Sequence, residues 1–429
     1  MEPPPFWCVL IPVPDRPGIF PTFFLSGFEC STFLWKDRGR RDLAAELQHY
    51  DHADEDYSML SALGIAVARE GIPWPLVDRG NGKYDFSCID GFLAAQRRHR
   101  VLPIWDLCHY GYPDDLDPLS EAFAPRFAAY ARAAARYVAE QAHHGPLLFT
   151  PINEPTFWGY MGGQWAWAAP FGKDPDYRRH FTVALARADI AAVKAIREDF
   201  PDARMVHIDP LIWVVPPRDR PDLAEEAHRE SYEDAYLAWD VISGLRHPEY
   251  GGSLETIDIL GFNNYSFGQM EVVPGGPHKP LEPGDDRIRP VCDLLEEAWL
   301  KYRRPCIVAE TSGLHGGRPD WLNDVATECL AAVVRGVDLH GICLFPAVDM
   351  TDWHTGEWLH MGIADVERLP SGALMRTPFL PYVSALQVWQ RRLKRVTALD
   401  EDPYDRPVDL DEIAQAARSL GAAADADWE

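Results

Sequence analysis

Short apolar runs recur along the chain, beginning near Phe24, Ile65, Val101, Leu147, Arg204, Ile257, Pro305 and Gly341, and stretches long enough for a helix separate them. Each run predicts a strand. A connection of a dozen or more residues between successive strands favours parallel pairing, because a crossover needs that length whereas a hairpin does not. Eight strands joined by eight helix-sized inserts predict an α/β chain folded as a (β/α)8 TIM barrel, a parallel eight-stranded barrel with extended βα loops.

The inserts carry helical spacing. Leu322, Val325, Ala326, Cys329, Leu330, Val333 and Val334 fall on one stripe, the face expected to cover a barrel strand. Phe127, Tyr130, Ala131, Ala134 and Val138 repeat the spacing just after Pro125, a residue suited to a helix start, and Phe181, Leu185, Ala188, Ala192 and Ile196 form a third stripe. Two connections rich in Pro and Gly, Pro216 to Pro221 and Pro274 to Gly284, are expected as rim loops or lids over the end where barrel enzymes keep their sites. Residues 1–398 read as one catalytic barrel. Residues 399–429 read as an acidic tail with one short amphipathic helix, Val408 to Leu420.

Composition narrows the partners. The net charge of −25 and the lack of a basic cluster beyond Arg38 to Arg41 argue against nucleic acid and anionic lipid. No apolar run is long enough to span a bilayer. The N-terminus lacks a basic region, an apolar core and a small-residue cleavage site, and the eight cysteines are scattered without CxxC pairs, so a cytoplasmic protein with reduced thiols is expected. Fifteen tryptophans suit the C–H faces of sugars, although core packing accounts for most.

Chemistry appears where strands end. The run from Leu147 stops at Asn153-Glu154-Pro155, and Pro155, which lacks a backbone donor, ends the strand so that Glu154 sits at the barrel mouth. An amide beside a carboxyl fits sugar chemistry: Asn153 can bond a ring hydroxyl while Glu154 moves a proton to the glycosidic oxygen. The run from Pro305 likewise ends at Glu310 before Thr-Ser-Gly. On the fourth and seventh predicted strands the two glutamates face one another across the mouth. One protonated and one ionised carboxyl across a cleft is the requirement of glycoside hydrolysis, and a retaining mechanism calls for a separation of roughly 5 to 5.5 Å.

With these motifs the chain resembles the clan of retaining (β/α)8 glycosidases to which the family 1 β-glucosidases belong, as a divergent member, from about Phe24 to about Glu367. The resemblance implies that Glu154 is the acid/base and Glu310 the nucleophile. It implies that Glu29, standing where the family has glutamine, lies near the sugar, and that Arg69 lies beside the nucleophile and holds it ionised. It further places His109 on the glycon, Asn263 near the substrate, Tyr265 against the nucleophile and Trp353 as a sugar platform. Departures are visible too: Pro151 replaces a threonine, Thr-Ser-Gly follows Glu310 in place of Asn-Gly, and the region that grips the sugar is only loosely echoed by Glu357-Trp358 and Met361 to Asp365. A small saccharide or glycoside is the expected ligand, and neither cofactor nor metal is called for. Two alternatives stand: a metal-dependent barrel hydrolase using His109, His207, Asp209 and Asp349, and a sugar-binding barrel without catalysis.

Overall fold

A computed structural model describes residues 18–141 and 145–397; the tail expected at 399–429 and the N-terminal segment through residue 17 lie outside the described residues. Eight strands close into a barrel: β1 (Phe24–Gly27), β2 (Val67–Gly71), β3 (Leu102–Asp106), β4 (Leu148–Thr150), β5 (Arg204–Pro210), β6 (Ile259–Asn263), β7 (Cys306–Thr311) and β8 (Leu339–Leu344). Each pairs in parallel with its sequence neighbour, and β8 closes on β1 through Phe24↔Ile342 to Ser26↔Leu344. The expected (β/α)8 barrel is what forms. Every predicted strand lies within a few residues of its apolar run.

A helix follows each strand, among them His49–Ala62 after β1, Phe123–Glu140 after β3, Pro175–Asp199 after β4 and Arg318–Val334 after β7. The stripes read from sequence are buried in the second and third of these. In Arg318–Val334 the stripe narrows: Leu322, Val325, Ala326 and Cys329 are buried, Leu330 and Val333 are half-buried, and Val334, in the last turn, is exposed. Phe123–Glu140 begins two residues before Pro125, which still sits within the first turn, where a missing N–H costs no hydrogen bond.

Alternation along the strands divides the core in two. Leu25, Val67, Ile104, Ile208, Ile307 and Cys343 point inward and pack with Phe345, whereas Ala68, Trp105, Leu260 and Val308 point outward to the helices. Trp74, Trp105, Trp158 and Trp239 are fully buried among helices and strands, so these four tryptophans build the core. The two Pro/Gly-rich connections share one structure at the mouth: Trp213–Val215, after β5, pairs in parallel with Gln269–Glu271, after β6, which pairs antiparallel with Lys279–Pro280. Arg287 fastens this rim by donating to the Pro216 carbonyl at 3.0 Å and to Glu271 at 2.7 Å. Among the described residues no helix is long and apolar enough to cross a membrane.

Candidate active site

Glu154 and Glu310 reach the mouth by different devices. After β4 the chain turns at Glu154, whose φ of 45° lies in the left-handed region, and Pro155 starts a short helix with Glu154 at its N-cap. Such a conformation is costly for a residue with a Cβ and persists where surrounding contacts enforce it; here the Glu154 N–H donates to Ile208 of β5 at 3.0 Å. On β7, strict alternation would turn Glu310 outward, since Ile307 and Ala309 face the interior. The pairing of β7 with β6 and with β8 shifts register after Val308, a bulge-like irregularity that re-aims Glu310 into the cleft.

Both carboxyls are almost enclosed, Glu154 at 7% and Glu310 at 5% exposure. Their partners differ in kind. Glu310 accepts from Arg69 Nη1 at 2.6 Å and from the Tyr265 hydroxyl at 3.0 Å, so a full positive charge faces it. Glu154 accepts from Asn263 Nδ2 at 2.8 Å and from the Tyr110 hydroxyl, both neutral. Burial first, and the charge of Glu310 second, push the Glu154 carboxyl up to about 7, against smaller opposing effects of its two hydrogen bonds. One carboxyl therefore keeps its proton near neutral pH while the other carries a counter-ion. That is the asymmetry acid–base chemistry on a glycosidic bond uses.

Arg69 organises the floor. It donates from Nη2 to Asp106 at 2.6 Å and to Asn153 Oδ1 at 2.7 Å, and its guanidinium lies 5.1 Å from the centre of the Phe345 ring. Burial would raise the Asp106 carboxyl, but Arg69 and His109 overcome it and hold Asp106 below the ordinary range. Because Arg69 can only donate, Asn153 must present its oxygen to Arg69 and its NH2 to His109 Nε2, at 3.0 Å. His109 then accepts at Nε2 and carries its proton on Nδ1, 3.1 Å from Asp106. Burial lowers and Asp106 raises the His109 imidazole, with a net upward shift; the Asn153 amide nevertheless demands a lone pair on Nε2, and that geometry sets the neutral tautomer.

The other expected site residues are placed unevenly. Glu29 follows β1 and accepts from the Ser31 N–H at 2.9 Å and from the Ser31 hydroxyl. Asn153, expected to meet a ring hydroxyl, is wholly buried, with its amide spent on Arg69, His109 and Tyr110. His109 is likewise enclosed, and Asn263 and Tyr265 reach the two glutamates directly. Trp353 lies beyond β8, after the short strand Met350–Thr351, half-buried against Phe33, Trp35, Tyr110 and Phe157. A buried polar atom without a protein partner is carried by Asn263, which bonds Glu154 (Oδ1), by Asn264, whose backbone N–H bonds the Glu310 carbonyl (Nδ2), and by Trp353, which packs on Tyr110 (Nε1). Such atoms suit a hydroxyl-rich ligand.

Tyr110 is the participant the sequence reading missed. Its position directly after His109 at a strand end was the available signal, but nothing in the local pattern says which way its ring turns. The residues of the metal-hydrolase alternative do not converge. His207 bonds Asp189 at 2.8 Å, Asp209 holds Thr156 through the backbone and hydroxyl, and Asp349 sits with His360 and Asp365 beside Arg318. His109 does group with Cys30 and Asp106, yet Arg69 already occupies the Asp106 oxygen that faces them, and its charge opposes a cation there.

No model of a known protein family matches the chain. By sequence it is similar to a 1,4-beta-D-glucan glucohydrolase of Thermotoga neapolitana, 22% identical with 74% of this chain and 86% of that protein covered. It is similar also to Beta-glucosidase A of Thermotoga maritima, 21% identical with 74% and 82% covered. Among solved structures, a family 1 β-glucosidase from Thermotoga maritima superposes with a TM-score of 0.69 at 18% identity over 86% of this chain and 98% of that one. In fold the chain is similar to a family 1 β-glucosidase, and in sequence it is distantly similar to curated glucan- and β-glucoside-hydrolysing enzymes. A β-glucosidase from Thermotoga maritima in complex with deoxynojirimycin superposes with a TM-score of 0.69 at 17% identity over 86% of this chain and 98% of that one.

Proposed function

We propose that the protein is a retaining glycoside hydrolase acting on a β-linked glycoside or oligosaccharide, with Glu310 as nucleophile and Glu154 as acid/base. The observation that carries this reading is the unequal pairing of the two carboxyls in one cleft: Glu310 against Arg69, and Glu154 among neutral donors with its pKa pushed up to about 7. In the first step Glu310 forms a bond to the anomeric carbon as the bond to the leaving oxygen breaks, and that oxygen takes the Glu154 proton. Esterification removes the negative charge of Glu310, one of the two main influences raising Glu154. Glu154 thereby becomes more acidic and is ready to take a proton from water, whose oxygen replaces Glu310 on the anomeric carbon.

Asn263 Oδ1, Asn264 Nδ2 and Trp353 Nε1 are the atoms to which sugar hydroxyls would bond, and Glu29, whose charge acts on His109, Tyr110 and Tyr265, is a second acceptor. Seven free cysteines among the described residues are in keeping with a cytoplasmic enzyme. The test is a screen of aryl β-glycosides with wild type and Glu154→Ala. An aryl leaving group needs little protonation, so Glu154→Ala should keep attack on activated aryl glycosides while losing roughly 10²- to 10⁴-fold on unactivated ones. Equal loss on both, or no hydrolysis by the wild type, overturns the reading.

A further inference from the structure

Tyr110 is held in an expensive place. It takes a φ of 62° in the left-handed region, as Glu154 does at 45°, so the two residues that share this hydrogen bond are both strained. The turn depends on Gly111, where an added Cβ would lie 2.4 Å from the Thr32 hydroxyl and 2.5 Å from the Thr32 carbonyl oxygen. The Tyr110 ring is then wedged edge-on against Trp353, Phe157 and Trp158, with centroids at 5.7, 6.0 and 6.1 Å. Packing on three sides leaves the hydroxyl one direction.

That direction is determined by what surrounds it. Asn153 Nδ2 donates to the Tyr110 oxygen at 3.3 Å, and Asn153 is itself oriented by Arg69, so the phenolic O–H is free to donate only to Glu154 Oε2. Glu154 Oε1 is taken by Asn263 Nδ2, an N–H donor that bonds an acceptor in either protonation state. Each oxygen of Glu154 thus accepts one hydrogen bond from the protein, Oε1 from Asn263 and Oε2 from Tyr110. A carboxylate oxygen offers two lone-pair sites, and Tyr110 fills one, leaving the other for exchange with the glycosidic oxygen or water.

We infer that Tyr110 is a positioning residue for Glu154: its hydroxyl fixes the rotation of the carboxyl and stabilises the ionised form that acts as base in the second half of the reaction. This rests on the glycosidase reading for its kinetic consequence, but not for the hydrogen bond. The other groups facing Glu154 are Glu310 from β7, Asn263 and Tyr265 from β6 and the turn after it, His109 from the turn after β3, and Asp209 from β5. Among them Tyr110 and Asn263 bond the carboxyl directly, and only Tyr110 reaches Oε2. Burial and the charge of Glu154 push the Tyr110 phenol well above its ordinary value, so it remains a proton-bearing donor across the working range.

The experiment is a titration of the Glu154 carboxyl by 13C NMR on the full chain with labelled glutamate, the signal assigned by its loss in Glu154→Gln. Tyr110→Phe removes the donor and keeps the ring; the Glu154 pKa should rise by about one unit, the size expected for losing a hydrogen bond to a charged group. Replacement of Tyr110 by 3-fluorotyrosine strengthens the donor and should move the pKa down; it decides the matter alone if Tyr110→Phe fails to fold. In parallel, Tyr110→Phe should shift the basic limb of kcat/KM upward by the same amount. On an activated aryl glycoside it should lower kcat roughly tenfold while kcat/KM stays within about threefold, because only the water-activating step needs the base. A Glu154 pKa unmoved by either replacement overturns the inference. If the wild type hydrolyses no glycoside, the functional reading falls while the titration still decides the hydrogen bond.

Discussion

Arg69 and Glu70 are consecutive residues of β2 and belong to opposite networks. Arg69 points into the barrel, to Glu310, Asp106 and Asn153. Glu70 points out to the helices and accepts from the Tyr57 hydroxyl at 3.0 Å and bonds His49 Nε2 at 2.9 Å; His49 Nδ1 in turn meets Asp56 at 2.7 Å, and Asp56 meets Arg376 Nε at 2.7 Å. Both clusters bury several charges. The outer one is closed: two cations, His49 and Arg376, answer two carboxylates, and the remaining Arg376 donors go to the Leu47 and Leu374 carbonyls. The inner one is left open, with Asn263 Oδ1, Asn264 Nδ2 and Asp106 Oδ1 unpartnered and Glu154 set beside a second carboxyl. Similar side chains thus serve stability where every donor and acceptor is matched, and reactivity where some are withheld.

The comparison can be broken from the inner side first. Glu310→Ala should lower turnover of a competent glycoside by more than about 10⁴-fold and leave the far-UV circular dichroism and melting temperature near those of wild type. Unfolding would mean that the inner cluster also holds the barrel together. On the outer side the dependence should reverse. His49→Leu strips the cation shared by Asp56 and Glu70 and should cost about 3–5 kcal/mol in urea unfolding, with activity per folded molecule unchanged.

In both clusters stability falls as pH rises, but in different windows and for different reasons. Burial alone would lower the His49 imidazole, yet Glu70 and Asp56 raise it from 6.5 to about 9. Its contribution is therefore fully present below pH 6.5 and is lost as pH rises through about 9; unfolding free energies of wild type and His49→Leu measured from pH 6 to 10 should converge. Glu154 is a carboxyl whose folded value is raised, from 4.5 to about 7, so its ionisation costs stability that accumulates as pH climbs from 4.5 to about 7 and is constant above. Glu154→Gln should accordingly stabilise the protein by up to about 3 kcal/mol above pH 7 and by nearly nothing at pH 4. The smallest effect is on the wild type itself: kcat/KM on an unactivated glycoside should fall with rising pH through about 7, approaching tenfold per pH unit, as Glu154 loses its proton.

The eight strands were legible because a strand buried in a barrel is a short apolar run whatever it pairs with; β4, however, ends at Thr150, ahead of Pro155, which starts the next helix instead of ending the strand, and β7 ends at Thr311, just past Glu310. Glu154 and Glu310 could therefore be assigned to the mouth from the chain alone. The narrowed stripe of Arg318–Val334 shows the limit of such reading, since an apolar residue in a last turn has nothing left to pack against.

Three features depended on closure of the barrel. The register shift after Val308 turns Glu310 inward against the alternation of its own strand, and it exists only as a relation among β6, β7 and β8. The inward commitment of Asn153 follows from Arg69, which arrives from β2. The placement of Tyr110 over Glu154 needs Thr32, Trp353 and Phe157, brought together from distant parts of the chain. Local sequence sets the period and the ends of elements because bond geometry acts between neighbours; which groups share a proton is decided by contacts that closure alone creates.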